Sequence, residues 1–246
     1  MQQAQAIKTA VEYWRHLRPV CMGAIYWQLN DNWPVASWAS IDYFGRWKQL
    51  HYHAKRFFAP VIISSFQNKS GEVEVWVTND LMTDAECAIT LSVTDFAGSV
   101  MKKVELKSMV KAGSAAKVAV YPAGKLIAAP EAGFMYMRLD AKAGGRKYSQ
   151  RNEHFFTQYK RCELAQAKVS AKTAKCDGGL EITLTTDKPA FFLTMEMKDM
   201  DGIFSDNSFT LIPGEPKTVV FTPAKGQKKA ASADMLVTRH LRQSYK

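Results

Sequence analysis

Hydrophobic positions along this chain change their spacing once, near Pro60. Before it, Ile7, Ala10, Val11, Trp14 and Leu17 recur at intervals of three and four, so the spacing predicts a helix over Ala4 to Leu17, ended by Pro19. The run VCMGAIYWQL over residues 20–29 is almost unbroken apolar and rich in branched and aromatic side chains, which predicts a strand covered on both faces, as in a parallel sheet. Cys21 in that run reads as a small core residue. A Trp-rich loop follows, then a second helix from near Arg46 to Phe58 that buries Trp47, Leu50, Ala54 and Phe57 or Phe58. Helix, parallel strand and helix make one and a half βα units. That is not a domain: a (β/α)8 barrel takes about 250 residues, and a lone parallel strand leaves both hydrogen-bonding edges open. Residues 1 to about 58 are therefore expected to be loosely held or packed on the sandwich that follows.

After Pro60 the period becomes two. VEVWVTN, AITLSVTDF, KVELKSM, AKVAVYP, GFMYMRLDA and EHFFTQY lie between turn residues, and KVSAKTAKC, GLEITLTT, AFFLTMEMK, FTLIP, KTVVFTP and MLVTRHLRQSY form a second series. Each series predicts a β-sandwich. The expected organisation is a barrel-like piece over residues 1–59, a sandwich over 60–160 and a second sandwich over 161–246. Met195, Met197 and Met200 read as core and edge filler, and Glu12 as a solvated charge on the polar face of the first helix.

Charge alters this picture little. The net charge is +10, but the lysines are scattered, and the one tight cluster, Lys225, Lys228 and Lys229, falls in a Gly/Ala/Ser-rich loop without interleaved aromatics. No nucleic-acid partner is expected. No stretch of eighteen uninterrupted apolar residues is present, so no membrane span is expected either. Cys21, Cys87, Cys162 and Cys176 lack CxxC spacing, and a Cys162–Cys176 disulfide stays open. His51 and His53 are two apart, which points them to different faces of a helix, so no metal or other cofactor is expected. The N-terminus shows no signal peptide and starts inside a helix, which suggests that an upstream part is missing.

A family resemblance rests on particular residues. The run Gly23 to Asp31, then Trp33, Ser37-Trp38-Ala39-Ser40, Asp42-Tyr43, Gly45-Arg46-Trp47-Lys48, Leu50-His51-Tyr52 and Lys55 to Pro60 resembles the β-mannosidases of glycoside hydrolase family 2. Phe204-Ser205-Asp206-Asn207 and Leu211 to Glu215 resemble a motif of their last Ig-like domain. The resemblance covers the whole chain and favours the mannosidase branch over the exo-glucosaminidase branch. It implies that Ala4–Leu17, Cys21–Leu29 and Arg46–Phe58 are the seventh helix, eighth strand and eighth helix of a TIM barrel, followed by two all-β Ig-like sandwiches. The implied substrate is a terminal, non-reducing β-mannoside of a glycan or manno-oligosaccharide, cleaved with retention. The implied partners are the barrel and N-terminal domains upstream, and the compartment stays open among periplasm, lysosome and the secreted route.

Both catalytic carboxylates of that family are Glu residues on the fourth and seventh barrel strands, which this chain does not contain. Asn152-Glu153 lies in the sandwich series, so no catalytic residue is named and the chain alone is expected to be inactive. The candidate substrate-binding residues are Trp27, Asn30, Asp31, Trp33 and Trp38. Trp27 is either a flat surface for the mannosyl ring or a plug in the barrel top. Asn30 and Asp31 either bond sugar hydroxyls or a catalytic Glu, or make a turn. Trp33 and Trp38 either border the leaving sugar or pack the loop. The alternative function is a non-catalytic carbohydrate-binding or scaffold protein of two sandwiches, with Trp76 as its main aromatic candidate.

Overall fold

The computed structural model describes residues 1–227 and 229–245, which leaves Lys228 of the basic cluster outside the described residues. The fold is mostly β. Helices α1 (Gln2–His16) and α2 (Gln49–Phe57) precede the strands, and the chain forms two compact units. The first contains Ala6–Ile25 and Ala54–Glu163; the second contains Met1–Gln5, Tyr26–His53 and the chain from Leu164 on.

The first unit is an antiparallel sandwich. Strands β1 (Val61–Gln67), β2 (Glu72–Asn79), β3 (Ala85–Asp95), β4 (Val100–Val110), β5 (Ser114–Pro122), β6 (Gly133–Ala143) and β7 (Arg146–Phe155) form a sheet ordered β1-β2-β5 and a sheet ordered β4-β3-β6-β7. Alternation decides which side chains enter the core: Val73, Val75 and Val77 of β2 meet Ile89, Leu91 and Val93 of β3 and Met135, Met137 and Leu139 of β6. Strand β1 was not among the expected strands. Its leading VIIS is buried throughout, so it shows no alternation to read.

Helix α1 docks on this sandwich in an unexpected orientation. Lys8, Val11, Glu12 and Arg15, spaced three and four apart, face the sheet, while Tyr13 and Trp14 are exposed. Glu12 is therefore not a solvated charge. It accepts a hydrogen bond from Asn152 Nδ2 at 3.1 Å and lies 3.4 Å from Lys8 Nζ, while Asn152 Nδ2 also donates to Ile63 O at 2.8 Å. Burial pushes the Glu12 carboxyl up, against the opposing pull of Lys8 and Asn152. Asn152 and Glu153 lie in β7 of this sandwich, toward its end. One turn on, the Arg15 guanidinium donates to Phe57 O, to Ala59 O at 2.9 Å and to Asp80 at 2.7 Å, and Arg18 adds a second contact to Asp80 at 2.8 Å. The helix satisfies buried polar groups of the sandwich, and the sequence pattern of apolar residues does not register that face.

The second unit is a sandwich of β8 (Val169–Cys176), β9 (Gly179–Thr186), β10 (Ala190–Met197), β11 (Gly202–Phe204), β12 (Phe209–Leu211), β13 (Lys217–Pro223) and β14 (Leu236–Arg239). One sheet runs β11-β13-β9-β8 and the other β12-β10-β14. Ile182, Leu184, Leu193, Val219 and Phe221 form its core, and Met195, Met197 and Met200 fill it as expected. All four cysteines are free.

The expected strand over 21–29 is not formed. Residues 20–26 have no regular structure, and Val20 and Ile25 are 91% and 94% exposed. Cys21 is accordingly half-buried, not a core residue. A strand of a parallel sheet is defined by neighbours on both edges, and among the described residues none lies beside 21–26. Nor does the whole of 1–58 stay with the first sandwich, since Tyr26–His53 belongs to the second unit.

The first unit carries a pH dependence. His154 is buried, its Nδ1 is 3.0 Å from Ser65 Oγ, and burial, with a contribution from Lys8, lowers its pKa from 6.5 to about 4. The unfolded chain takes up this proton first, so stability is full above pH 6.5 and falls as pH drops toward about 4, by roughly 3 kcal/mol in total. Urea unfolding of the wild type and of His154→Gln at a series of pH values checks this: the difference between the two shrinks across that window in the variant's favour.

Candidate functional site

The Trp-rich segment Tyr26–Lys48 is a folded loop of the second unit, built on a few backbone bonds. Ile41 N donates to Leu29 O at 2.8 Å, Asp31 N to Ile41 O at 3.1 Å and Lys48 N to Ser40 O at 2.9 Å. Single bridges join Asn30 to Ile41 in parallel and Ile41 to Trp47 antiparallel. Three backbone passes thus lie side by side where the sequence predicts one strand end and a loop.

Ser40 is the hub of this arrangement and is fully buried. Its Oγ donates to Leu29 O at 2.9 Å, accepts from Tyr26 Oη at 2.9 Å and lies 3.0 Å from His51 Nδ1. Burial lowers the His51 pKa, so the imidazole is neutral in this contact at pH 7. Ser40 and His51 are absent from the sequence-based candidates, because a hydroxyl or an imidazole within the motif does not reveal which distant segment it will bond.

The candidate residues fall into two groups. Trp27, Trp33 and Trp38 are 72%, 62% and 61% exposed, and Asn30 is exposed with its Nδ2 donating to Asp31 O at 3.2 Å. Asp31 is the opposite case. Its carboxylate is buried, accepts from Ser37 Oγ at 2.5 Å and faces Lys48 Nζ at 3.5 Å. Lys48 also donates to Ser37 O at 3.3 Å, which closes the 31–37 turn, and Gln3 Nε2 donates to Trp38 O at 2.6 Å. The second loop carboxylate, Asp42, accepts from the Phe44 and Arg46 amides and from Arg46 Nε at 2.7 Å. Burial raises its pKa, but these bonds and the Arg46 charge outweigh that and hold it below the usual carboxylate range. Both carboxylates are committed to the loop. The surface presents flat rings and an amide, a set suited to binding a sugar, with no carboxyl poised for proton transfer.

The sandwiches offer less. Trp76 donates to Glu74 at 3.0 Å, and His16 and Lys117 lie over its ring at 4.7 and 5.4 Å, so its faces are covered. A groove of about 450 Å³ on β3, β4, β6 and β7 is walled by Lys107, Lys142 and Lys147 together with Glu86 and Asp140, with Tyr148 as the aromatic ring of its lining.

Comparison with known proteins places this geometry. Residues 71–161 match the Mannosidase Ig/CBM-like domain and residues 164–244 match an Ig-fold domain of the mannosidase type. Both sandwiches are mannosidase-type Ig-like domains. The chain is 31% identical over 245 residues to the β-mannosidase of Capra hircus and 28% identical over 256 residues to β-mannosidase A of Aspergillus fumigatus. These matches cover 93% and 91% of this chain but only 27% and 26% of those proteins, so the chain spans about a quarter of their length. The crystal structure of a β-D-mannosidase from Dictyoglomus thermophilum superposes with a TM-score of 0.81 at 22% identity, covering 96% of this chain and 28% of that one. An exo-chitosanase from Amycolatopsis orientalis gives 0.64 at 18% identity, covering 89% and 30%. The chain matches a C-terminal portion of the β-mannosidases of glycoside hydrolase family 2.

The exposure pattern makes a chemical prediction. Limiting N-bromosuccinimide, read by peptide mass spectrometry, should oxidise Trp27, Trp33 and Trp38 well before Trp47 and Trp76.

Proposed function

We propose that this chain supplies one wall of the sugar pocket of a retaining β-mannosidase that removes terminal, non-reducing β-mannose from glycans or manno-oligosaccharides. The observation that carries the reading is Trp27: a ring 72% exposed at the end of an apolar run, in a loop whose own carboxylates are tied up. The chain's similarity to β-mannosidases supports the substrate class. In this reading residues 1–59 are the end of a (β/α)8 barrel, followed by sandwiches over 60–160 and 161–246.

Retaining hydrolysis needs two carboxyl groups about 5 to 5.5 Å apart, one as nucleophile and one as acid/base. Both come from barrel strands upstream, so the chain by itself does not turn over substrate. Trp27 gives the apolar face of the mannosyl ring a flat support, Asn30 bonds a hydroxyl, and Trp33 and Trp38 border the leaving sugar. Asp31 serves by closing the turn that holds Trp33 through Ser37 and Lys48. The partner is the upstream barrel with its N-terminal domains, which covers the exposed residues around Ile25 and the exposed Trp14 of α1. Neither nucleic acid nor a membrane enters the reaction; no helix among the described residues is long and apolar enough to cross a membrane.

The test joins this chain to the upstream portion of the Dictyoglomus enzyme in place of the matching segment. The chain alone should leave an aryl β-mannoside intact and the chimera should cleave it, with Trp27→Ala lowering kcat/KM roughly ten-fold or more. Turnover by the chain alone, or a chimera indifferent to Trp27→Ala, sinks the proposal. A chain with Trp27, Trp33 and Trp38 all changed to Ala that still binds manno-oligosaccharides by calorimetry would favour the alternative, sugar binding by the sandwiches.

A further inference from the structure

The Phe204-Ser205-Asp206-Asn207 motif lies far along the chain from the Trp loop and has no part in the binding surface just described. Its geometry is nevertheless demanding. Asn207 Nδ2 donates to Met195 O at 3.0 Å, and its Oδ1 accepts from Met195 N at 2.9 Å and from Ser208 N at 2.8 Å, so one side-chain amide stands in for a strand neighbour of β10. Ser208, fully buried, is held at φ +53°, a conformation that a residue with a Cβ keeps only when its surroundings fix it.

What this arrangement grips is the start of α2. Ser208 Oγ lies 3.0 Å from His53 Nε2, and Phe204 N donates to Tyr52 Oη at 3.3 Å. Both α2 residues are buried, and Tyr52 belongs to the core of the second sandwich. From there the contacts lead into the loop. Trp47 packs edge-on against Tyr52 at 5.3 Å and His51 at 4.4 Å, His51 reaches Ser40, and Ile41 and Ser40 hold the backbone at Leu29, two residues beyond Trp27.

We infer that the second sandwich is a positioning domain for the Trp27 loop, with Tyr52, His53, Asn207 and Ser208 as its positioning residues. It sets the depth and angle at which the Trp27 ring is presented, through a path of hydrogen bonds and edge-on ring contacts. The inference deepens the reading of the loop as a sugar-facing wall, but it is mechanical, and its test involves no sugar, so the two can fail separately.

The test is site-resolved amide exchange on the full chain, comparing Tyr52→Phe and Asn207→Ala with Val219→Ala, which opens a cavity in the same core from β13 but removes none of the hydrogen bonds of the grip. In the first two variants the amides of Asp31, Ser40, Ile41 and Lys48 should exchange roughly five-fold faster or more, the effect of losing one buried hydrogen bond, while amides of β9 and β13 keep their rates. In Val219→Ala the strands should speed up with no preferential effect on the loop. Loop amides at wild-type rates in Tyr52→Phe would overturn the inference, as would a loop that loosens equally in Val219→Ala. Should Asn207→Ala fail to fold, Tyr52→Phe, which removes a single oxygen, decides the matter.

Discussion

A backbone segment holds a defined shape only if its N–H and C=O groups find partners, and that requirement divides this chain more sharply than its order along the sequence. In the two sandwiches the antiparallel ladders meet it strand by strand. Between Met22 and Ile25 no ladder forms, and a run composed for burial is only half covered, with Ile25 almost fully exposed. From Gln28 onward the loop makes its own short ladder, through Leu29, Ser40 and Ile41, and regains order there. The candidate surface thus lies on the stretch that has built its own ladder.

The two helices reflect the same economy. Helix α1 meets the first sandwich with a polar stripe whose groups satisfy Asn152, Asp80 and the carbonyls of Phe57 and Ala59. Tyr13 adds an edge-on contact to Phe66 of β1 at 5.3 Å, and Trp14 is left exposed. Helix α2 begins with Tyr52 and His53 sunk among residues of the second sandwich. A chain that presented only its apolar stripes to the sandwiches would have had nothing left to offer a further layer.

Much of the fold was legible because alternation is a local signal: β2, β3 and β6 each declare a buried face within eight to eleven residues. Strand β1 was hidden because burial on both faces erases the period, and β11 because three residues are too few to show one. The Glu12 reading went astray for a different reason. Its partner Asn152 is 140 positions away, and nothing within a helical turn reveals that a carboxylate will be buried beside an amide. At the site, the Trp residues announced themselves by type and by resemblance. Ser40, His51 and Phe204 to Asn207 share in the resemblance, but their roles do not show in the sequence, since those roles lie in distances between segments.

The polar docking of α1 has a consequence for how such proteins can be recombined. Apolar faces slide and repack with modest loss, whereas a stripe of directed hydrogen bonds accepts one register only. A sandwich severed at Pro60 would expose Asn152, Asp80 and the Ile63 carbonyl as unmatched polar groups on what had been an inner surface. The natural joint for exchanging this module lies ahead of Lys8, two helices earlier than the change of sequence period suggests, and α1 travels with the sheet.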